Sequence, residues 1–272
     1  MVKVRAMILA AGLGTRMRPL TYHLPKPLLP ILGKPLIRYV LDVLKKAGIR
    51  DVMVNLHHLP HALKKYLRSQ KDFKISFSLE PQILGTGGGI LKAKKFFQNQ
   101  RFVVINSDIL TDVNIKKALA FHSQKKSLAT MVVRRTNPHE TYEALGINRE
   151  GRIVKFRTKN IHPPLIKTMF TGIHIFEPEI FQYFPKNNLK NHLKNNPKNQ
   201  KTFCINTDVY SKLVQKKKNV YGYLHFGKWE DMGSLNLYLA YHMKHLKGKK
   251  KTQFKNKLLK LFPGIIFPKS TG

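Results

Sequence analysis

Residues 5–11 (RAMILAA) form an unbroken apolar run that stops at Gly12, the pattern of a strand buried on both faces. In residues 35–47 the period changes. Ile37, Leu41 and Leu44 recur at helical spacing, Pro35 stands at the start and Gly48 just past the end, so a helix is predicted. Residues 51–56, 73–80 and 101–106 read as three further strands, and 60–69, 86–97 and 114–124 as helices. This alternation predicts a mainly parallel, doubly wound α/β sheet of Rossmann-like form, covered by helices on both faces. Ligands of such sheets collect at the carboxyl ends of the strands.

From residue 127 the pattern shifts. Strands are predicted over 128–135, 146–148, 152–157, 169–176 and 220–226, with helices over 206–215 and 234–245. Fewer helices between strands point to a second, smaller and more antiparallel lobe. No linker or internal repeat divides the chain. The expected organisation is one domain over residues 1–243, with halves 1–126 and 127–243, followed by a basic tail over 244–272. A chain cut after residue 243 is expected to keep its activity.

Composition narrows the classes. A hydrophobic share of 42% in 272 residues supports a packed core. The single cysteine, Cys204, excludes an internal disulfide framework and a cysteine-rich zinc site. No apolar run approaches the roughly 20 residues that span a bilayer. The first residues read as a strand rather than a signal peptide, so a cytoplasmic protein is expected. Lys and Arg number 50 against 14 Asp and Glu, a net charge of +36 that favours polyanions. No aromatic stacking motif or helix-turn-helix pattern accompanies that charge, so specific nucleic-acid binding is not expected. Two stretches are rich in lysine and free of acids. Residues 186–201 read as a solvated Asn/Lys insert. Residues 244–260 mix Lys with Leu and Phe and suit either an anionic surface or a plain tail.

With so few carboxylates, an acid in a turn beside a strand end stands out. Asp108 follows the fourth strand and Asp231 precedes the last helix. His57, His58 and His61 lack a neighbouring carboxylate or cysteine and read as a surface loop. After the first strand comes Gly12-Leu13-Gly14-Thr15-Arg16, a glycine turn whose backbone N–H groups can approach phosphate. It is neither a Walker A loop nor GxGxxG, because the GK[ST] end is missing and Met17 takes the third glycine's place. A proline-rich loop follows, with Arg16, Arg18 and Lys26 in a chain stiffened by Pro19, Pro25, Pro27 and Pro30.

The whole stretch, LAAGLGTRMRPLTYHLPKPLLPI from Leu9 to Ile31, resembles the GxGTRxxPLTxxxPKPLxP signature of the sugar-1-phosphate nucleotidylyltransferases. Further likeness lies in Glu80-Pro81, Leu84-Gly85-Thr86-Gly87-Gly88, Asn106-Ser107-Asp108, Thr171-Gly172-Ile173 and Trp229–Asp231 with Met232-Gly233, so it covers roughly residues 5–240. Mannose-1-phosphate guanylyltransferases and N-acetylmuramate-1-phosphate uridylyltransferases share this compact form. The resemblance implies the nucleotide-diphospho-sugar transferase fold and the reaction of an NTP with a sugar 1-phosphate to give NDP-sugar and pyrophosphate. It implies catalytic roles for Arg16 and Lys26, and a Mg²⁺ held by Asp108 and Asp231. Nucleotide contacts are implied for Leu9, Ala10, Ala11, Gly12, Gly14, Thr15, Glu80, Gly85, Thr86, Gly87 and Asn106. Sugar-phosphate contacts are implied for Gly146, Lys159, Thr171 and Gly172.

Around Lys159 the family's acidic pair is missing, since the stretch reads Phe156-Arg157-Thr158-Lys159-Asn160. A carboxylate at Glu80 can accept both N1–H and the N2 amino group of guanine, which favours GTP; mannose 1-phosphate as its partner is what the resemblance to the mannose-1-phosphate guanylyltransferases implies. UTP with N-acetylmuramate 1-phosphate is the alternative pair. The alternative class is a non-catalytic regulatory subunit, which retention of Arg16, Lys26, Asp108 and Asp231 disfavours. A homodimer fits either reading.

Overall fold

β1 (Arg5–Leu9) runs through the middle of a nine-stranded sheet, and its alternating side chains feed two cores. In the computed structural model, which describes residues 4–137, 140, 142–158, 160–185, 202–262 and 264–267, Met7 faces one core and Ile8 the other. Three 3-10 turns follow at Thr15–Met17, Leu20–Tyr22 and Lys26–Leu28. Next come β2 (Pro30–Ile31), β3 (Lys34–Pro35), α1 (Leu36–Lys46), β4 (Asp51–Leu56), α2 (Pro60–Arg68) and β5 (Lys74–Leu79). The first half ends with α3 (Gly85–Lys92), α4 (Lys94–Phe97), β6 (Phe102–Asn106), β7 (Ile109–Thr111) and α5 (Ile115–Gln124). β6, β1, β4 and β5 lie side by side and parallel, as the apolar runs predict. The helix expected over 86–97 is interrupted at Ala93, where α3 gives way to α4.

The second half contributes β8 (Ala129–Arg135), β9 (Ala144–Ile147), β10 (Ile153–Phe156) and β11 (Ile166–Phe176). β11 is the joint between the halves. Its first residues pair antiparallel with β9, and its last four pair antiparallel with β6 on the parallel sheet. The pairing with β8 shifts between Phe170 and His174, where Gly172 takes φ +93°. The helix expected over 206–215 begins as a π-helical turn, Ile205–Tyr210, and continues as α6 (Ser211–Gln215). β12 (Val220–Leu224), β13 (Trp229–Asp231), α7 (Leu235–His245) and α8 (Gly248–Leu261) complete the chain. The Asn/Lys-rich stretch 186–201 lies outside the described residues.

The basic segment after residue 243 is not detached from the body. α8 carries six lysines, yet Leu258 and Ile265 are buried in a third apolar cluster with Met17, Leu20, Leu29 and Tyr238. Phe254 stacks on His242 with ring centroids 4.3 Å apart. Lysine density hides the Phe254 and Leu258 spacing (i, i+4), which places two apolar side chains on one helix face, with Phe262 packing just past its end. Among the described residues no helix is long and apolar enough to cross a membrane.

Candidate active site

The carboxyl ends of β1, β4 and β6 open into one cleft of about 370 Å³. Parallel register aligns Leu9 with Asn106, so the glycine turn and the Asn106-Ser107-Asp108 turn leave the sheet side by side. Leu9, Ala10, Ala11, Gly12, Gly14, Thr15 and Arg16 form one wall, with Lys26 and Pro27 from the proline-rich loop. Glu80, Gly85 and Thr86 form another, and Asn106, Ser107 and Asp108 close the third. Both cations and all but one of the nucleotide residues expected from the sequence meet here. Gly87 does not line the cleft. A Cβ on it would stand 2.3 Å from the Phe203 ring, and its N–H donates to Phe203 O at 3.0 Å. Gly85 and Gly87, at the start of α3, therefore make room for Phe203, arriving from far along the chain.

Lys26 Nζ lies 2.5 Å from Asp108 Oδ2, with both side chains at least three-quarters buried. Arg16 is exposed at the mouth of the cleft. Arg18, the third cation of the loop, does not line it and stacks over Tyr22 at 5.2 Å. The loop is pinned from outside: Thr21 Oγ1 donates to Gly14 O at 2.8 Å, and the His58 ring donates from Nε2 to Thr21 O at 2.7 Å. His57 likewise donates to Glu80 O. His57 and His58 thus brace the cleft through carbonyls, whereas His61 is exposed in the first turn of α2.

Asp231 reaches Asp108 through a ladder that sequence reading did not anticipate. β13 pairs antiparallel with β7, and Met232 N–H donates to Asp108 O at 2.9 Å. Burial, then the charge on Asp108, raise the Asp231 carboxyl above the usual carboxylate range, opposed by Lys26 and by Tyr142. Tyr142 donates its hydroxyl to Asp231 Oδ2 at 3.1 Å, and burial with that carboxylate pushes the phenol up to about 12. Two carboxylates against one lysine leave this corner with a net negative charge. That hard-oxygen donor set fits a divalent cation such as Mg²⁺.

Glu80 is 1% exposed, and both its oxygens are engaged inside the protein. Oε1 accepts from Asn55 Nδ2 at 2.8 Å and Oε2 from Leu84 N–H at 3.1 Å. Asn55 Oδ1 in turn accepts from Ala10 N–H at 2.7 Å. This relay ties the glycine turn to the Leu84 loop. Burial dominates the Glu80 carboxyl and raises it, against the two hydrogen bonds. Asn55 escaped the sequence reading. Its one signal was a polar residue near the end of an apolar strand.

The sugar-side residues are more dispersed. Gly172 abuts the cleft, since a Cβ there would meet Asn106 Nδ2 at 3.1 Å. Thr171 is buried, donating to Val132 O and accepting at its carbonyl from Trp229 Nε1 at 2.7 Å. Gly146 is buried in β9, away from the cleft lining, where a Cβ would meet Lys155 Cβ at 3.0 Å. Lys159 lies outside the described residues.

Residues 5–248 match the profile of the nucleotidyl transferase family. The chain is 32% identical over 249 residues to UTP–glucose-1-phosphate uridylyltransferase of Synechocystis sp., covering 85% of this chain and 61% of that protein. It is 27% identical over 235 residues to mannose-1-phosphate guanylyltransferase of Mycobacterium tuberculosis, covering 85% and 62%. The solved structure of UDP-glucose pyrophosphorylase from Acinetobacter baumannii shares the fold at a TM-score of 0.68 and 22% identity, covering 96% of this chain and 100% of that one. The chain therefore spans about three-fifths of the length of the two curated relatives.

Proposed function

The chain belongs to the nucleotidyl transferase family, and on that premise we propose that it transfers a nucleotidyl group from an NTP to a sugar 1-phosphate. NDP-sugar and pyrophosphate are the products. The observation that carries this reading is the convergence of Arg16, Lys26 and Asp108 on the glycine turn, at the carboxyl ends of parallel strands.

A phosphate oxygen of the sugar phosphate attacks the α-phosphorus, and the bond to pyrophosphate breaks. With a second pKa near 6, a phosphomonoester is already ionised at neutral pH, so no general base is needed. What the protein supplies is alignment and charge. Arg16 offers a planar fork of donors to the α-phosphate. Lys26, held by Asp108, presents a fixed charge to the departing pyrophosphate. Backbone N–H groups of the glycine turn seat the remaining phosphates.

Asp108 and Asp231 would hold Mg²⁺, since the Asp108 carboxylate raises the cost of charge on Asp231 and a cation would relieve it. When bound, that ion supplies neutralisation of charge on the reacting phosphates.

For the substrate pair we propose GTP with mannose 1-phosphate, supported by the Mycobacterium relative's name. The Synechocystis relative's name supports UTP with glucose 1-phosphate as the competing pair. Glu80 lends the guanine reading little, because its oxygens already serve Asn55 and Leu84. The test is pyrophosphate release from each NTP combined with mannose, glucose or N-acetylmuramate 1-phosphate. Release is expected only when both substrates are present, and fastest with GTP and mannose 1-phosphate. No release from any pair would remove the enzymatic reading.

A further inference from the structure

A second concavity, of about 980 Å³, runs between the proline-rich loop and α8. Among the described residues it shares no lining residue with the nucleotide cleft. Its floor is hydrocarbon: Leu20, Leu29 and Leu258 are buried there, beside Phe254. At its mouth Leu32 and Leu261 are 41% and 59% exposed. Such a space lies at the upper end of the range of small-molecule sites, and apolar surface of this extent seldom stays open without a use.

The polar atoms in the floor are already spent. Tyr238 donates its hydroxyl to Pro30 O at 2.9 Å. His242 Nδ1 lies 2.8 Å from Tyr238 O, and its Nε2 accepts from Leu32 N–H at 3.3 Å. A polar ligand would find no partner at depth, whereas a hydrocarbon chain needs none. The rim differs. Lys247, Lys250 and Lys257 line it, and no carboxylate stands among its described lining residues. Lys250 and Lys257 are seven positions apart, so they share one side of α8 about 10 Å apart along its axis.

We propose that this groove binds an amphiphilic anion, a single hydrocarbon chain ending in a phosphate or similar head group. The chain would lie along Leu20, Leu29, Phe254 and Leu258, with the head among the three lysines. A second copy of this chain is a poor occupant, because it would bring the same lysines against these. The groove wall and the cleft wall are two sides of one stiff loop, since Thr21 fastens the Leu20 turn to Gly14 of the nucleotide site.

The test is calorimetric titration of the full chain with dodecyl phosphate below its micelle concentration. One site is expected. Affinity should fall at least ten-fold in the Lys250→Glu/Lys257→Glu variant and in Leu261→Glu, all exposed positions whose folding is checked by circular dichroism. Dodecyl maltoside should bind at least ten-fold more weakly, and inorganic phosphate should give no heat at the same concentration. Dodecyl maltoside binding as tightly as dodecyl phosphate, or unchanged affinity in both variants, would overturn the proposal. Phosphatidylglycerol vesicles identify the source. Co-sedimentation that dodecyl phosphate competes away supports a ligand drawn from a bilayer, and no co-sedimentation supports one taken from solution.

Discussion

Lys26 and Asp108 are 82 positions apart, yet Nζ and Oδ2 meet at 2.5 Å in the wall of the cleft. The lysine thereby has one position rather than many, and its charge is aimed before substrate arrives. Lys26→Ala should lower kcat/KM by on the order of 10²-fold, the usual cost of removing one preorganised electrostatic group. Lys26→Arg should restore only part of this, because a planar fork replaces a compact point charge. Steady-state kinetics check both. Near-normal activity in Lys26→Ala would take the residue out of catalysis.

Asp231 gives a pH signature. Its folded-state pKa is raised, so the folded protein holds this proton to higher pH than the unfolded chain does. Stability from this group is therefore present at low pH and is lost as pH rises through the unfolded and then the folded value. Asp231→Asn should melt above the parent at pH 7, and the gap should close as pH falls below about 4, the ordinary carboxylate value. Thermal melts across that window check the sign.

Activity should move the other way. Asp108→Asn and Asp231→Asn should each cut turnover by on the order of 10²-fold or more at saturating Mg²⁺. The double variant should be little worse than either single one, since one ion is lost only once. Additive losses would mean that the two carboxylates act separately.

Gly87 tests the Phe203 packing. Gly87→Ala drives a methyl into the Phe203 ring, so a loss of about 1–3 kcal/mol is expected, as for other overpacked sites. Phe203→Leu should recover part of that loss in the double variant, measured by urea denaturation as a non-additive cycle. Equal losses with and without Phe203 would place the clash elsewhere.

The parallel half of the sheet was legible because β1, β4 and β6 are mostly apolar runs bounded by turn residues, while β5 (KISFSL) alternates polar and apolar positions. The glycine turn with Arg16 and Lys26 was legible because it is contiguous. Asn55 was not, since its task depends on Glu80 and Ala10 coming together across two strands. Nor was the β7–β13 ladder, whose three-residue strands are too short to show a period and which, with the Met232 N–H to Asp108 O bond, brings Asp231 to Asp108. Phe203 sits just past the lysine-rich insert, and nothing in its neighbourhood points to Gly87. In α8 the lysines outvoted the apolar face.

That face makes the C-terminal segment structural. A chain ending at residue 247 would lose Leu258 and Ile265 from their cluster and uncover Leu20 and Leu29. Burial of each such side chain contributes about 1.5–3 kcal/mol, so truncation should lower the urea midpoint well beyond the effect of a surface change. An unchanged midpoint would mean that α8 adds nothing to the fold.

The central claim is attack by the sugar phosphate on the α-phosphorus of an NTP. The direct measurement uses sugar 1-phosphate carrying heavy oxygen in its non-bridging phosphoryl positions, followed by phosphorus NMR and mass spectrometry of the products. The account predicts that all label stays in the NDP-sugar, with one heavy atom now bridging the two phosphorus atoms, and that pyrophosphate carries none. Labelled inorganic phosphate or labelled pyrophosphate would contradict it, because the sugar phosphate would then have broken its own bond to the sugar instead of attacking the nucleotide.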